Sequence, residues 1–212
     1  MTIILKNKET LKYDDFFLKC CIGKNGLTKA KFEGDKKTPK GIFSLGSLYF
    51  RKDRNSKPIT KLKCIPINKN MGWCDDPKSK KYYNKLIKVS KKIKHEKLFR
   101  KDSKYDFLIP INYNTKQTRL GKGSAIFLHL TKDFKPTAGC IALKKKEFLI
   151  LLKLIDKNNK TLFSTKNDSD YIYPRSSIKI FQAIPFIKSM AVEKFKLNSK
   201  QVALACSSHR GE

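Results

Sequence analysis

The sequence predicts a β-rich α+β fold, a mixed sheet that is curved or sandwiched and has helices packed outside it. Short apolar or alternating runs, typical of strands, fill much of the chain before residue 144. One strong amphipathic helical pattern follows at 144–156, so strands and helices do not alternate as in βαβ units. At 212 residues the chain can bury one full core and carry a small additional piece.

Each predicted strand is a short run bounded by polar residues, glycine or proline. The predicted strands cover residues 2–5, 16–22, 42–50, 105–113, 125–130 and 140–143. Residues 23–26 are predicted to form a turn. Residues 31–41 are predicted to form a loop, because Pro39 fixes its own φ angle and two glycines permit tight bends. Pro110 indicates that its strand lies at a sheet edge or contains a bulge.

Two segments have helical spacing. The 144–156 segment has a wide apolar face and directly follows the 140–143 strand, so it is predicted to pack over the sheet. That face consists of Phe148, Leu149, Leu151, Leu152 and Ile155. The lysine-rich 79–100 segment has a single apolar stripe and predicts an exposed helix with a solvated His95. Asp75 and Asp76 are assigned to a solvated or helix-capping turn.

A cysteine and a histidine stand at the ends of two predicted strands. His129 is near the end of the apolar run 125–130, and a polar loop leads back to Cys140. On paired strand ends a thiol and an imidazole can come within hydrogen-bond reach, and Gly139 leaves the approach to the sulfur open. This pattern is typical of a cysteine nucleophile with a histidine base. The spacing alone leaves open a buried structural cysteine and a structural histidine. It disfavours a metal site, because no second His or Cys stands at ligand spacing nearby.

The composition is strongly basic, with a net charge of +30. The 42 lysines far outnumber the 6 arginines, which supply most base and phosphate recognition in nucleic-acid readers. No RNA- or DNA-binding motif spacing is present, so no specific nucleic-acid partner is predicted. The charge favours weak, unspecific binding to anionic polymers at low salt.

The six cysteines form no CxxC pair and are predicted to be mostly reduced. The N-terminal segment lacks the basic and apolar regions of a signal peptide. No apolar run reaches the roughly 18 residues of a membrane span. These features predict a soluble protein without a visible export signal, cytoplasmic by sequence alone.

Four separated motifs appear in the order found in one enzyme family. They are Glu33-Gly-Asp-x-x-Thr-Pro-x-Gly-x-Phe43, Met71-Gly-Trp-Cys-Asp-Asp76, Gly123-Ser-Ala-Ile-Phe-Leu-His129 and Pro136-Thr-Ala-Gly-Cys140. Together they resemble the L,D-transpeptidase catalytic domain (YkuD family) over about residues 1–160. The resemblance implies a fold of that type, a peptidoglycan substrate outside the cytoplasmic membrane, and no cofactor or metal.

The resemblance also implies roles for individual residues. Cys140 corresponds to the family nucleophile and His129 to its proton donor and acceptor, while backbone N–H groups around Gly139 and Cys140 are the expected oxyanion donors. The expected supports of the substrate site are Thr137, Asp35, Thr38 and Trp73. For Trp73 a packing role and a role in the substrate cleft are equally supported. Ala138 replaces a second family histidine, and Ala142 stands where Arg or Asn is common; both departures bear on substrate choice and rate.

The C-terminal segment has a different resemblance. Residues 171–212 are similar to the beginning of the asparaginase II family of serine–lysine amidohydrolases, through Ser176, Lys179 and Ser208. A fragment of this length cannot complete a core or a pocket, so a short helical remnant is expected. The predicted domains are a catalytic domain at 1–165 and a linker with this fragment at 166–212.

The expected function is L,D-transpeptidation of peptidoglycan stem peptides, with hydrolysis by water as a variant of the same chemistry. Cys140 is acylated with loss of a terminal D-amino acid, and an amine or water then resolves the thioester. One alternative is an amidohydrolase that uses the serine–lysine set of the tail. The other is a cationic cell-wall-binding module with weak or lost activity.

Overall fold

A computed structural model describes residues 2–155, the backbone of 162–164, and residues 194, 195 and 198. The chain divides into two compact units, Met1–Asp168 and Ser169–Glu212. The elements below belong to the first unit. Apart from residues 194, 195 and 198, the predicted helical C-terminal fragment lies outside the described ranges, and the predicted boundary at residue 165 stays a prediction. Across the described ranges, no helix is both long enough and apolar enough to cross a membrane.

The described elements are short strands and one helix. In chain order they are β1 Thr2–Asn7, β2 Thr10–Tyr13, β3 Phe16–Cys21, β4 Leu27–Thr28, β5 Thr38–Pro39, β6 Ile42–Ser44, β7 Leu48–Phe50, β8 Cys64–Pro66, β9 Met71–Cys74, β10 Leu86–Lys88, β11 His95–Lys97, β12 Phe107–Pro110, β13 Phe127–Leu130, β14 Ile141–Leu143, α1 Lys145–Leu154 and β15 Leu162–Ser164.

Ten strands form one mixed sheet in the order β6-β15-β1-β2-β3-β14-β13-β12-β7-β8. The pairs β1–β15, β13–β14 and β7–β8 are parallel, and the other pairs are antiparallel. A small sheet, β10-β9-β11, and the pair β4–β5 accompany it. The predicted β-rich α+β fold is confirmed.

The central strands β13 and β14 are buried on both faces, which explains their uninterrupted apolar sequences. Leu128 and Leu130 point into the main core, where Phe148 of α1 stacks on Phe107 with ring centroids 6.0 Å apart. Phe127 points to the opposite face and joins a second cluster that also contains Cys140. The helix therefore supports one face of the sheet, and the candidate site lies on the other.

The predicted helix at 79–100 is wrong. This segment forms turns, then β10 and β11, which pair with the two sides of β9. The predicted apolar stripe is not buried: its residues Tyr82 and Leu86 are more than one-third exposed. Tyr83, which lies outside the stripe, is fully buried. Asn84 has a φ of +57°, outside the helical region.

The strand predictions also differ from the structure elsewhere. Besides β2, β10 and β11, five short strands lie outside every predicted strand: β4, β5, β8, β9 and β15. The 42–50 run is divided into β6 and β7, and between them the Gly46 N–H donates to the Pro110 carbonyl oxygen at 2.8 Å. Pro110 ends an interior strand, since β12 has β13 and β7 as neighbours, so the predicted edge position is wrong. The strand β2 was not predicted, although Leu11 and Tyr13 alternate with polar residues.

Candidate active site

The sheet brings His129 and Cys140 to one face. Strands β13 and β14 are parallel, with His129 opposite Ala142 and Leu128 opposite Ile141. Because side chains alternate between the faces of a strand, His129 and Ala142 lie on the face opposite to Ile141. Cys140 precedes Ile141 by one residue and therefore lies on the face of His129. Both residues line a cavity of about 530 Å³.

The Cys140 sulfur is held by the backbone that leads into β13. The Phe127 N–H donates to Sγ at 3.3 Å, and the thiol donates to the Ala125 carbonyl oxygen at 3.2 Å. Ala125 has a φ of +52°, so the strand predicted from residue 125 begins at Phe127. Burial, together with the negative charge of Glu96, raises the pKa of the Cys140 thiol to about 12. The thiol is therefore neutral at physiological pH in the free protein.

The His129 ring is also buried and neutral. Its Nδ1 lies 2.8 Å from the Leu130 carbonyl oxygen, which assigns the ring proton to Nδ1 and the lone pair to Nε2. The ring contacts Tyr105 edge-on, with centroids 5.4 Å apart. Burial lowers the pKa of His129 to about 4, and the charges of Lys104 and Arg100 act in the same direction. A neutral imidazole is the form that can accept a proton.

The turn that carries the nucleophile is fixed by two threonines. Gly139 has a φ of +138°, and a Cβ there would lie 2.8 Å from the Lys37 carbonyl oxygen, so only glycine fits. The Gly139 N–H donates to Thr137 Oγ1 at 3.1 Å, and that hydroxyl donates to the Cys140 carbonyl oxygen at 2.6 Å. Thr38 Oγ1 donates to the Gly139 carbonyl oxygen at 2.8 Å.

The Glu-Gly-Asp and Thr-Pro segment lies directly behind this turn. Asp35 accepts hydrogen bonds from the N–H groups of Phe32 and Lys37 and from Lys31 Nζ. Burial alone would raise the pKa of Asp35, but these bonds bring it below its ordinary value. Asp35 and Thr38 are buried and lie outside the set of residues that line the cavity, whereas Thr137 lines it.

Trp73 occupies a packing position. Its indole N–H donates to Asn84 Oδ1 at 3.0 Å, and its ring meets Phe127 edge-on with centroids 5.2 Å apart. The side chain is buried in the second cluster and is not part of the cavity wall. Trp73 therefore packs against Phe127 and supports β13 in the free protein.

The cavity is also lined by charged side chains that were not among the predicted site residues. Glu96 and Arg100 belong to the segment predicted as an exposed helix, yet both face the site. The Tyr105 hydroxyl donates to Glu96, while Arg100 binds Asp102 through two hydrogen bonds of 2.9 and 2.7 Å. Burial raises the pKa of Glu96. Glu33, from the first motif, also lines the wall and accepts hydrogen bonds from Tyr83 and Ser124.

Two residues predicted to be solvated are partly enclosed. Asp75 lines the cavity with Oδ1 buried and without a partner among the described residues, and burial raises its pKa. His95 is half-buried on β11, and its Nδ1 lies 2.7 Å from the Ile93 carbonyl oxygen.

Within the described ranges, no group of His, Cys, Asp and Glu has an arrangement that could hold a metal ion. The five described cysteines are free thiols.

Comparisons with known proteins add two family matches. A sequence model of the L,D-transpeptidase catalytic domain matches residues 1–170, and a model of L-asparaginase II matches residues 149–212. No curated protein matches the chain. A solved structure of Bdellovibrio bacteriovorus Bd1075 matches at 15% identity and a TM-score of 0.39, over 89% of this chain. The chain spans 55% of the length of that protein.

Proposed function

The chain belongs to the L,D-transpeptidase catalytic domain (YkuD) family, and from this premise we propose that it is a cysteine acyltransferase acting on peptidoglycan stem peptides in the cell envelope. The proposal is carried by the placement of Cys140 and His129 on one face of two adjacent parallel strands, at the wall of one cavity. A nucleophile and a proton acceptor that share a cavity are the minimum for acyl transfer through a thioester.

The proposed first step begins from the neutral pair. Substrate binding displaces the thiol proton from the Ala125 carbonyl, and His129 Nε2 accepts this proton while Sγ attacks the carbonyl of the bond before the terminal D-amino acid. The C–N bond then breaks, and the imidazolium donates its proton to the departing amine. The product is a thioester on Cys140. Because burial keeps the pKa of His129 below physiological pH, its ring is neutral there and the Nε2 lone pair can accept the thiol proton.

In the second step, an amine of another stem peptide or a water molecule attacks the thioester. His129 again accepts a proton and returns it to Sγ. The proposed oxyanion donors are the backbone N–H groups of Gly139 and Cys140. Since the Gly139 N–H donates to Thr137 Oγ1 in the free protein, it changes its acceptor when the intermediate forms.

The site is proposed to bind substrate through the wall that Thr137 helps to form, with Asp35, Thr38 and Trp73 acting from behind it. Ala138 and Ala142 both line the cavity. Their small side chains leave room where larger polar residues are common in the family. The proposed mechanism uses no cofactor or metal.

Incubation with purified muropeptides, followed by mass spectrometry, tests this function. Loss of a terminal D-amino acid that depends on Cys140 supports it, and the ratio of crosslinked dimers to shortened monomers separates transfer from hydrolysis. If the folded protein leaves all tetrapeptides unchanged and Cys140 forms no acyl adduct, the alternative of a cationic wall-binding module replaces it.

The match of residues 149–212 to L-asparaginase II keeps an amidohydrolase as the second candidate. Its residues Ser176, Lys179 and Ser208 lie outside the described ranges. Release of ammonia from asparagine that is lost in a Ser176→Ala variant and retained in a Cys140→Ala variant would favour it.

A further inference from the structure

A lysine is buried directly behind the nucleophile. Lys31 and its partner Asp35 have side chains only 4% and 1% exposed, and the Nζ–Oδ1 distance is 2.6 Å. Lys31 Nζ also donates to the Lys37 carbonyl oxygen at 2.8 Å. An ammonium has three N–H donors, and these contacts use two of them. Burying a lysine is costly, so the fold maintains this cation against a substantial desolvation penalty.

The backbone makes room for the Lys31 side chain at two glycines. At Gly123, which has a φ of +95°, a Cβ would lie 2.7 Å from Lys31 Cε. At Gly139 a Cβ would lie 3.3 Å from Lys31 Nζ, so the ammonium is adjacent to the residue that precedes the nucleophile. The Lys37 carbonyl that accepts from Nζ is also the group closest to that Gly139 position, at 2.8 Å. Lys31 thus reaches the cavity at the turn that presents Cys140.

We propose that Lys31 is a positioning residue of this active site: its buried ammonium holds the Lys37 backbone against the Gly139 turn and places a positive charge beside the residue that precedes Cys140. The proposal rests on the proposed function, for which Cys140 must become a thiolate. A cation at this place favours the negative charge that develops on Sγ as the proton leaves.

The charged and titratable groups around Cys140 oppose one another. Glu96 on β11 raises the pKa of Cys140, while the Phe127 N–H and the charge of Lys31 lower it. Tyr105 and His129 face the same space, and both are neutral at physiological pH because burial raises the pKa of Tyr105 and lowers that of His129. The charge of Lys31 lowers the pKa of Cys140, and the cations of Arg100 and Lys104 line the same cavity.

The test measures the thiol without using any substrate. The rate of iodoacetamide alkylation at Cys140 is followed against pH, by mass spectrometry of the Cys140 peptide, in the wild type, Lys31→Met and Asp35→Asn. Lys31→Met is expected to shift the profile to higher pH and to slow alkylation about tenfold at a fixed pH, the factor for a pKa one unit higher. Asp35→Asn keeps the cation without its counter-charge and is expected to shift the profile to lower pH.

An electrostatic role predicts that the two variants shift the alkylation profile in opposite directions. A purely structural role predicts shifts in the same direction, because loss of either partner loosens the turn in the same way. Shifts in the same direction, or no shift in either variant, would overturn the proposal. If Lys31→Met does not fold, Lys31→Gln takes its place, because it keeps a donor for the Lys37 carbonyl oxygen without the charge, and it is expected to show the same slowed alkylation; an unchanged profile would again overturn the proposal. Since alkylation needs no muropeptide, this result is independent of whether the protein turns over stem peptides.

Discussion

Thr38 Oγ1 donates a 2.8 Å hydrogen bond to the carbonyl oxygen of Gly139, which lies 101 positions later in the chain. The same hydroxyl accepts the Gly23 N–H at 2.9 Å. A single buried side chain therefore ties the Thr-Pro segment and the end of β3 to the turn that precedes Cys140. This hydroxyl therefore links two motifs that are distant in the sequence.

Replacing Thr38 with valine keeps the shape of the side chain and removes this link. The variant leaves a buried N–H and a buried carbonyl without their partner, at about 1–3 kcal/mol each. We expect Thr38→Val to lower both the melting temperature and the acylation rate. Thr28→Val is the matched control, because the Thr28 hydroxyl accepts an exposed N–H, from Ala30. Full acylation in a folded Thr38→Val protein would contradict the assigned role.

Cys140→Ala is expected to eliminate turnover without unfolding the protein, since the loss of one buried thiol costs about 1 kcal/mol. Muropeptide turnover and a thermal melt measure the two effects separately. Cys74→Ala is the control, because Cys74 is also buried but lies outside the cavity wall. Turnover that persists in the folded Cys140→Ala variant would exclude Cys140 as the nucleophile.

A carbapenem is expected to form a one-to-one adduct at Cys140, since its strained lactam carbonyl imitates the acyl donor. His129→Ala should slow formation of this adduct by about 10²–10⁴-fold, the usual contribution of a general base. His95→Ala provides a control histidine on β11, outside the cavity wall. Intact-mass kinetics and peptide mapping give the rate and the position. An adduct at Ser176 or Ser208 would support the amidohydrolase instead.

His129 should also make stability depend on pH. Its pKa is about 4 when folded and about 6.5 when unfolded. Between these values the unfolded chain binds more protons, so this contribution is complete above pH 6.5 and is lost as pH falls towards 4. We expect the wild type to lose up to about 3 kcal/mol relative to His129→Gln over this range. Urea unfolding at pH 7, 5.5 and 4 measures the free energy of unfolding of both proteins. If the difference between the two proteins is the same at all three pH values, His129 is not buried as a neutral ring.

Deleting residues 166–212 is expected to leave Cys140 acylation intact, because all four motifs precede the deletion. The structure adds a sharper comparison. β15 pairs with both β1 and β6, so a chain ending at residue 160 removes a strand from between two others. The 1–165 chain should melt cooperatively and react with carbapenem, whereas the 1–160 chain should be clearly less stable. A folded 1–165 chain that does not acylate would place part of the active site in the tail.

The strands of the site could be predicted because their burial on both faces leaves uninterrupted apolar runs around His129 and after Cys140. The charged residues of the cavity wall could not be predicted. Lys31 is buried, and the side chains of Glu96 and Arg100 are 30% and 33% exposed. All three are residue types that usually lie at the surface, and their ion pairs stabilise them at the cavity. The 79–100 segment was misassigned for a related reason. Its apolar spacing fits a helix, but the segment pairs its backbone with β9, a long-range contact that local periodicity does not encode.

The place of β15 in the sheet also constrains how the protein is made. β1 is synthesised long before its partner β15, which is complete only when residue 164 has been added. At ordinary synthesis rates this takes roughly 10–30 s, during which the nascent chain carries an open strand edge that can pair with other chains. β14 likewise joins β3 and β13 late, so the thiol of Cys140 enters its finished environment only near the end of translation of the catalytic unit.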